Sequence, residues 1–149
     1  MRDNHYLKTL LTTIWDKYFP DVPIANQISI KFGNKSYRQL GAIKSKRGDN
    51  SSSTIVVTSY FKDTTIPEHV ILTTVAHEVV HYAHGFNSPL PRLYKHPHRG
   101  NIVDKELIKR GLGEELRQSK EWLDKNWKNI VGVKRKRVRR VRRFIIFSF

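Results

Sequence analysis

The chain of 149 residues contains no cysteine. That excludes disulfides, cysteine-ligated zinc ribbons, iron–sulfur clusters and thiol catalysis, and it fits a reducing compartment. Long apolar runs are also missing, since none approaches the roughly 20 residues that cross a bilayer. The opening Met1-Arg2-Asp3-Asn4 lacks the apolar segment of a secretion signal, so a cytoplasmic protein is expected. Acidic residues are scarce: 13 Asp and Glu stand against 28 Lys and Arg, a net charge of +15. A balance this basic points to a polyanionic partner, with nucleic acid first and an anionic membrane surface second.

Much of the charge is concentrated near the end. Lys134, Arg135, Lys136, Arg137, Arg139, Arg140, Arg142 and Arg143 form a block without an acid, and the rest of the chain keeps 15 − 8 = +7. Two segments are therefore expected: a domain over residues 1–130 and a basic tail over 131–149. The tail is a candidate nucleic-acid-binding arm, holding phosphates without reading sequence. Its apolar end, FIIFSF, offers a weaker reading as an interfacial membrane anchor.

Along the body, Leu7, Leu10, Leu11, Ile14, Trp15 and Tyr18 make the stripe of an amphipathic helix that Pro20 and Pro23 end. In NQISIKF, Ile28, Ile30 and Phe32 alternate with polar residues as in a half-buried strand. Gly33-Asn34 supplies a turn, YRQLGAIK a partner strand, RGDNSSS a polar loop and TIVVTSYF a third strand. A helix over 66–84 follows, with Thr65 and Glu68 at capping-box spacing and Gly85 just past its end. A Pro-rich loop, FNSPLPRLYKHPHRG, leads into two further helices, NIVDKELIKRGL and GEELRQSKEWLDKNWKNI. The order predicts an α+β monomer with a small antiparallel sheet packed on helices.

The chemistry lies on the 66–84 helix. His77-Glu78-Val79-Val80-His81 is H-E-x-x-H, which puts both imidazoles on one helical face within reach of one metal ion. Glu78 sits beside that face, placed to handle a water's proton rather than to bind the metal. A catalytic zinc site takes a third protein ligand. His84 lies seven residues beyond His77, about 10.5 Å along the axis, too far for a compact site. His96 and His98, in a loop able to fold back over the helix, are better candidates, and Glu106, Glu114 and Glu115 stay open. His5 and His69 read as ordinary surface residues.

From about Leu40 to Leu112 the chain resembles the SprT-like (Spartan-type) zinc metalloproteases. The shared pattern is LGAI, then TIVVTSYF, then IPEHV, then H-E-x-x-H and a further His at the mouth of a helix. The frame His98-Arg99-Gly100-Asn101-Ile102 sets His98 on the family's third ligand. It departs from the family at Arg99, where a Gly is usual, and at Asn101, where a Glu is usual. The resemblance implies a minimal zincin-like fold and Zn²⁺ on His77, His81 and His98. It also implies Glu78 as general acid and base in an endopeptidase acting on DNA-associated proteins. Strand TIVVTSYF is expected to offer an edge for an extended substrate. Tyr82, His84, Tyr94 and Arg99 are candidates for an oxyanion stabiliser, and Trp122 and Trp127 for base stacking. The rival reading is a nucleic-acid-binding module with a structural or degenerate metal site.

Overall fold

The structure, a computed structural model, describes residues 1–132. The order is α1 (Asn4–Tyr18), β1 (Gln27–Phe32), β2 (Gly41–Lys46), β3 (Asp49–Val57), α2 (Glu68–Ala83), α3 (Ile102–Lys109) and α4 (Gly113–Val131). Short 3₁₀ turns occupy Ser59–Lys62 and Arg99–Asn101. This is α+β, four helices on one small sheet. No helix among the described residues is long and apolar enough to cross a membrane. The basic block 134–143 lies outside the described residues.

The sheet corrects the expected antiparallel hairpin order. Its strand order is β1-β3-β2, with β1 parallel and β2 antiparallel to β3, so the sheet is mixed. Gly33-Asn34 does not fold β1 onto β2. The loop after β1 is instead pulled across the end of β3. Thr58 Oγ1 donates to the Ser36 carbonyl at 2.6 Å, and the Thr58 amide donates to the Leu40 carbonyl at 2.9 Å. The chain therefore enters β2 on the far side of β3. The expected polar loop 47–53 is mostly strand, because Asp49–Ser52 extend β3 along an exposed stretch where serine side chains cost nothing to keep wet. The strand reading over 54–61 ends early: Thr58 turns out of the sheet and its Oγ1 accepts from the Tyr60 amide at 3.4 Å. Being central, β3 has no free edge, so the expected substrate-binding edge cannot be this strand.

α1 starts at Asp3, whose Oδ1 accepts from the Tyr6 amide at 2.9 Å, and buries Leu7, Leu10, Ile14 and Trp15. Its helix-capping chemistry is clear, whereas that of α2 differs from expectation. Thr65 does not cap α2; its amide and hydroxyl both bond Asp63 Oδ1, at 2.9 and 2.7 Å, and Pro67 takes the cap position without a side-chain bond. α2 is rich in Val, Ile and Thr, poor helix formers that gain little from propensity. Burial sustains it instead. Val70, Ile71, Val75, Val79 and Val80 are fully buried, each worth roughly 1.5–3 kcal/mol. α2 runs through the middle of the domain, against the sheet, α1, α3 and α4. The residues it carries are thus held on the best-anchored element.

Candidate metal centre

His77 and His81 project from one face of α2 and are almost fully buried, at 6% and 3% exposure. His98 reaches them from the loop ahead of α3. Its Nε2 stands 3.2 Å from His77 Nε2 and 2.9 Å from His81 Nε2. One ligand atom from each ring lies within 4.8 Å of the others. Nitrogens at about 2.0–2.1 Å from one ion in tetrahedral geometry sit roughly 3.3 Å apart, so the three fit a single metal.

Two devices bring His98 there. At the end of α2, Gly85 adopts φ +84°, and a Cβ on it would stand 2.4 Å from the Pro91 carbonyl oxygen. Only glycine allows the returning loop so close, and the Leu93 amide then donates to the His84 carbonyl at 3.0 Å. Between His98 and α3, Gly100 and Asn101 are both left-handed, with φ 72° and 55°, which turns the chain sharply into the helix.

The electrostatics keep the rings neutral, as a metal ligand must be. Burial, then His81, His98 and Lys120, hold His77 well below the ordinary imidazole range. Burial, then His98 and His84, press His81 down to about 3. Burial lowers His98 as well, and Asp104 opposes that shift. Three neutral rings turn their Nε2 atoms on one point, and with the proton on Nδ1 each offers a lone pair there to a cation. In one respect the cluster is incomplete: His81 Nδ1 is buried with no hydrogen-bond partner among the described residues, where metal-bound histidines usually have one.

Glu78 is 1% exposed. Its space comes from Gly41 at the start of β2, where a Cβ would stand 3.3 Å from Glu78 Oε1. Glu78 is the next residue along α2 from His77, so its carboxylate is held on the same buried helix as two of the three histidines.

The remaining expectations divide. His84 is outside the cluster but is buried, not exposed, with Nε2 3.5 Å from Glu106 Oε1 and its ring against Tyr94. Glu106 is thereby occupied with His84 and with Arg110 Nε at 2.8 Å, while Glu114 pairs with Arg117, so neither joins the histidines. Glu115 is not in the cluster either. His5 and His96 are exposed, whereas His69 is half-buried and bonds Ser119 Oγ through Nδ1 at 3.1 Å. Tyr82 turns its hydroxyl away, accepting from the Ala25 amide at 3.0 Å and donating to Asn26 Oδ1 at 2.7 Å. Trp127 is core, 1% exposed, its Nε1 donating to the Tyr37 carbonyl at 2.9 Å, and Trp122 is half-buried.

Sequence reasoning missed Asp104 and Lys120, which bridge α3 and α4 at 2.7 Å beside the histidines. Nothing in the local spacing signals them, because they meet only when the two helices pack. No protein-family model, curated protein or solved structure matches the chain.

Proposed function

We propose that the chain is a zinc-dependent endopeptidase in which His77, His81 and His98 hold the ion and Glu78 is the general acid and base. The observation that carries this reading is the burial of Glu78 beside three converging neutral imidazoles. A purely structural metal site needs no such carboxylate, which argues for the peptidase over a nucleic-acid-binding module with a structural or degenerate site. Zinc bound there supplies a Lewis acid that polarises the scissile carbonyl and makes water acidic near neutral pH. Glu78 takes the proton of the attacking water and returns it to the leaving amine, a contribution of typically 10²–10⁴-fold.

The strand edge on the site's side is that of β2, whose first residue touches Glu78 and which pairs only with β3. An extended peptide adds to this edge through backbone hydrogen bonds, and its scissile bond then lies over α2. The net charge of +15 supports DNA-associated proteins as the substrate class.

Metal analysis with peptide hydrolysis tests the reading. Wild type carries about one zinc per chain. His98→Ala loses it while His96→Ala keeps it. Glu78→Gln retains zinc and loses at least about 10²-fold in hydrolysis, because an amide cannot accept the proton. Loss of zinc in Glu78→Gln would make Glu78 a ligand and sink its assigned role.

A further inference from the structure

The sheet has one uncovered face. Helices pack on the side that carries Ile28, Ile30, Ile43, Ile55 and Val57. Alternation puts Ser29 and Lys31 of β1, Ser52 and Thr54 of β3 and Lys44 of β2 on the other side, and Lys46, past a register shift between β2 and β3, joins them. There Lys31, Lys44, Lys46, Ser52 and Thr54 line a depression of about 410 Å³.

The charge balance is lopsided in the same place. Residues 22–62 hold seven Lys or Arg and one acid, Asp49, a net 7 − 1 = +6, whereas all 132 described residues carry 20 − 13 = +7. On α3 and α4, three cations pair with acids: Arg110 with Asp21, Arg117 with Glu114 and Glu121, and Lys120 with Asp104. Lys31, Lys44 and Lys46 are exposed and join no ion pair among the described residues. Asp49, at the hairpin end, accepts from the Ser51 amide instead.

We propose that this open sheet face is a docking surface for the phosphate backbone of duplex nucleic acid. The lysines neutralise phosphates and the hydroxyls donate to phosphate oxygens, the contacts that position a protein without reading sequence. β1 and β2 stand about 10 Å apart on either side of β3, and Lys44 and Lys46 lie about 7 Å apart along β2, so the three charges meet more than one phosphate. No aromatic side chain lies on this face, so there is no platform for stacking unpaired bases, and a duplex is favoured over a single strand. The exposed large hydrophobics, Met1, Ile24, Leu93, Tyr94 and Ile108, all lie elsewhere, and the apolar residues on this face, Ala42 and Val56, are small and at least partly buried, a poor hold on a bilayer.

This inference extends the DNA association in the reading above but does not depend on peptidase chemistry. The full chain carrying Lys31→Gln, Lys44→Gln and Lys46→Gln is compared with a chain carrying Lys105→Gln, Lys125→Gln and Lys128→Gln, three exposed lysines on α3 and α4. Both lose the same charge. Binding to a short duplex of arbitrary sequence, to the matching single strand and to phosphatidylserine vesicles is measured between about 50 and 200 mM salt.

The sheet variant is expected to lose on the order of tenfold or more in duplex affinity, and its log–log salt slope falls by about 2 to 3, roughly 0.9 per lost phosphate contact. The helix variant keeps a steeper slope. Amine labelling of wild type shows Lys31, Lys44 and Lys46 protected by duplex, and the sheet variant keeps the wild-type melting temperature. Equal losses in both variants would overturn the proposal in favour of diffuse charge. Greater loss for the single strand, or protection by vesicles and not by duplex, would overturn the assigned partner. Glu78→Gln keeps duplex binding, so failure of the peptidase reading is seen separately.

Discussion

Gly41 and Glu78 occupy one another's space: a Cβ on residue 41 would stand 3.3 Å from Glu78 Oε1 and 2.9 Å from Thr74 Cγ2. The first residue of β2 is thus small because the carboxylate one turn beyond Thr74 needs the room. Gly41→Ala is expected to destabilise the fold by about 1–3 kcal/mol through overpacking and to lower hydrolysis more than stability, with zinc retained. Thr74→Ser removes the nearer clashing methyl while keeping the hydroxyl's bond to the Val70 carbonyl, 2.8 Å in wild type. In the Gly41→Ala background it restores most of the melting temperature. A double variant as unstable as the single would place the fault elsewhere.

That contact shows what the sequence could and could not disclose. The spacing of His77 and His81 is a property of one helix, and so is legible from the string. His98 is seventeen residues beyond His81 and was separated from His96 only through the family frame, because loop geometry is not written in a local period. The sheet misled because strand alternation assigns faces but not neighbours. Ile28 and Ile30 were recognisable as inward, yet nothing local states that β3 comes between the other two strands. The same blindness hid the lysine face, since Lys31 and Lys44 share a surface only once the order is known. Asp104 and Lys120 likewise meet through packing alone.

His84 gives a pH dependence whose direction is fixed. Burial lowers its pKa below the ordinary imidazole value, with Arg110 adding to the effect and Glu106 opposing it. The unfolded chain therefore binds a proton that the folded chain refuses. Stability is full above an unfolded pKa of about 6.5 and is lost as pH falls toward the lower folded value. Between those limits the slope for one such group approaches about 1.4 kcal/mol per pH unit. Urea unfolding of wild type and His84→Gln as a function of pH isolates this share, since every other group is common to both. The variant should show the shallower loss below about pH 6.5. Identical pH profiles would mean that His84 takes up its proton in the folded state.

Asp104 and Lys120 make opposite predictions although they form one ion pair. Lys120 adds to the lowering of the His77 pKa, and Asp104 acts on His98 in the raising direction, so each field reaches the cluster from its own side. Toward a divalent cation the Lys120 charge is repulsive and the Asp104 charge attractive. Asp104→Asn removes the attraction and leaves Lys120 uncompensated, so metal affinity falls, by about 10–100-fold if Asp104 acts as supporting residues of metal sites generally do. Lys120→Gln removes the repulsion and leaves the carboxylate, so affinity rises. Competition with a chromogenic chelator measures both. Lys120 is partly exposed, so raising the salt concentration shrinks its effect more than that of the better-buried Asp104. If the bridge served only to clamp α3 to α4, both substitutions would weaken metal binding together and lower the melting temperature to the same degree. Opposite signs assign the pair to the electrostatics of the metal centre.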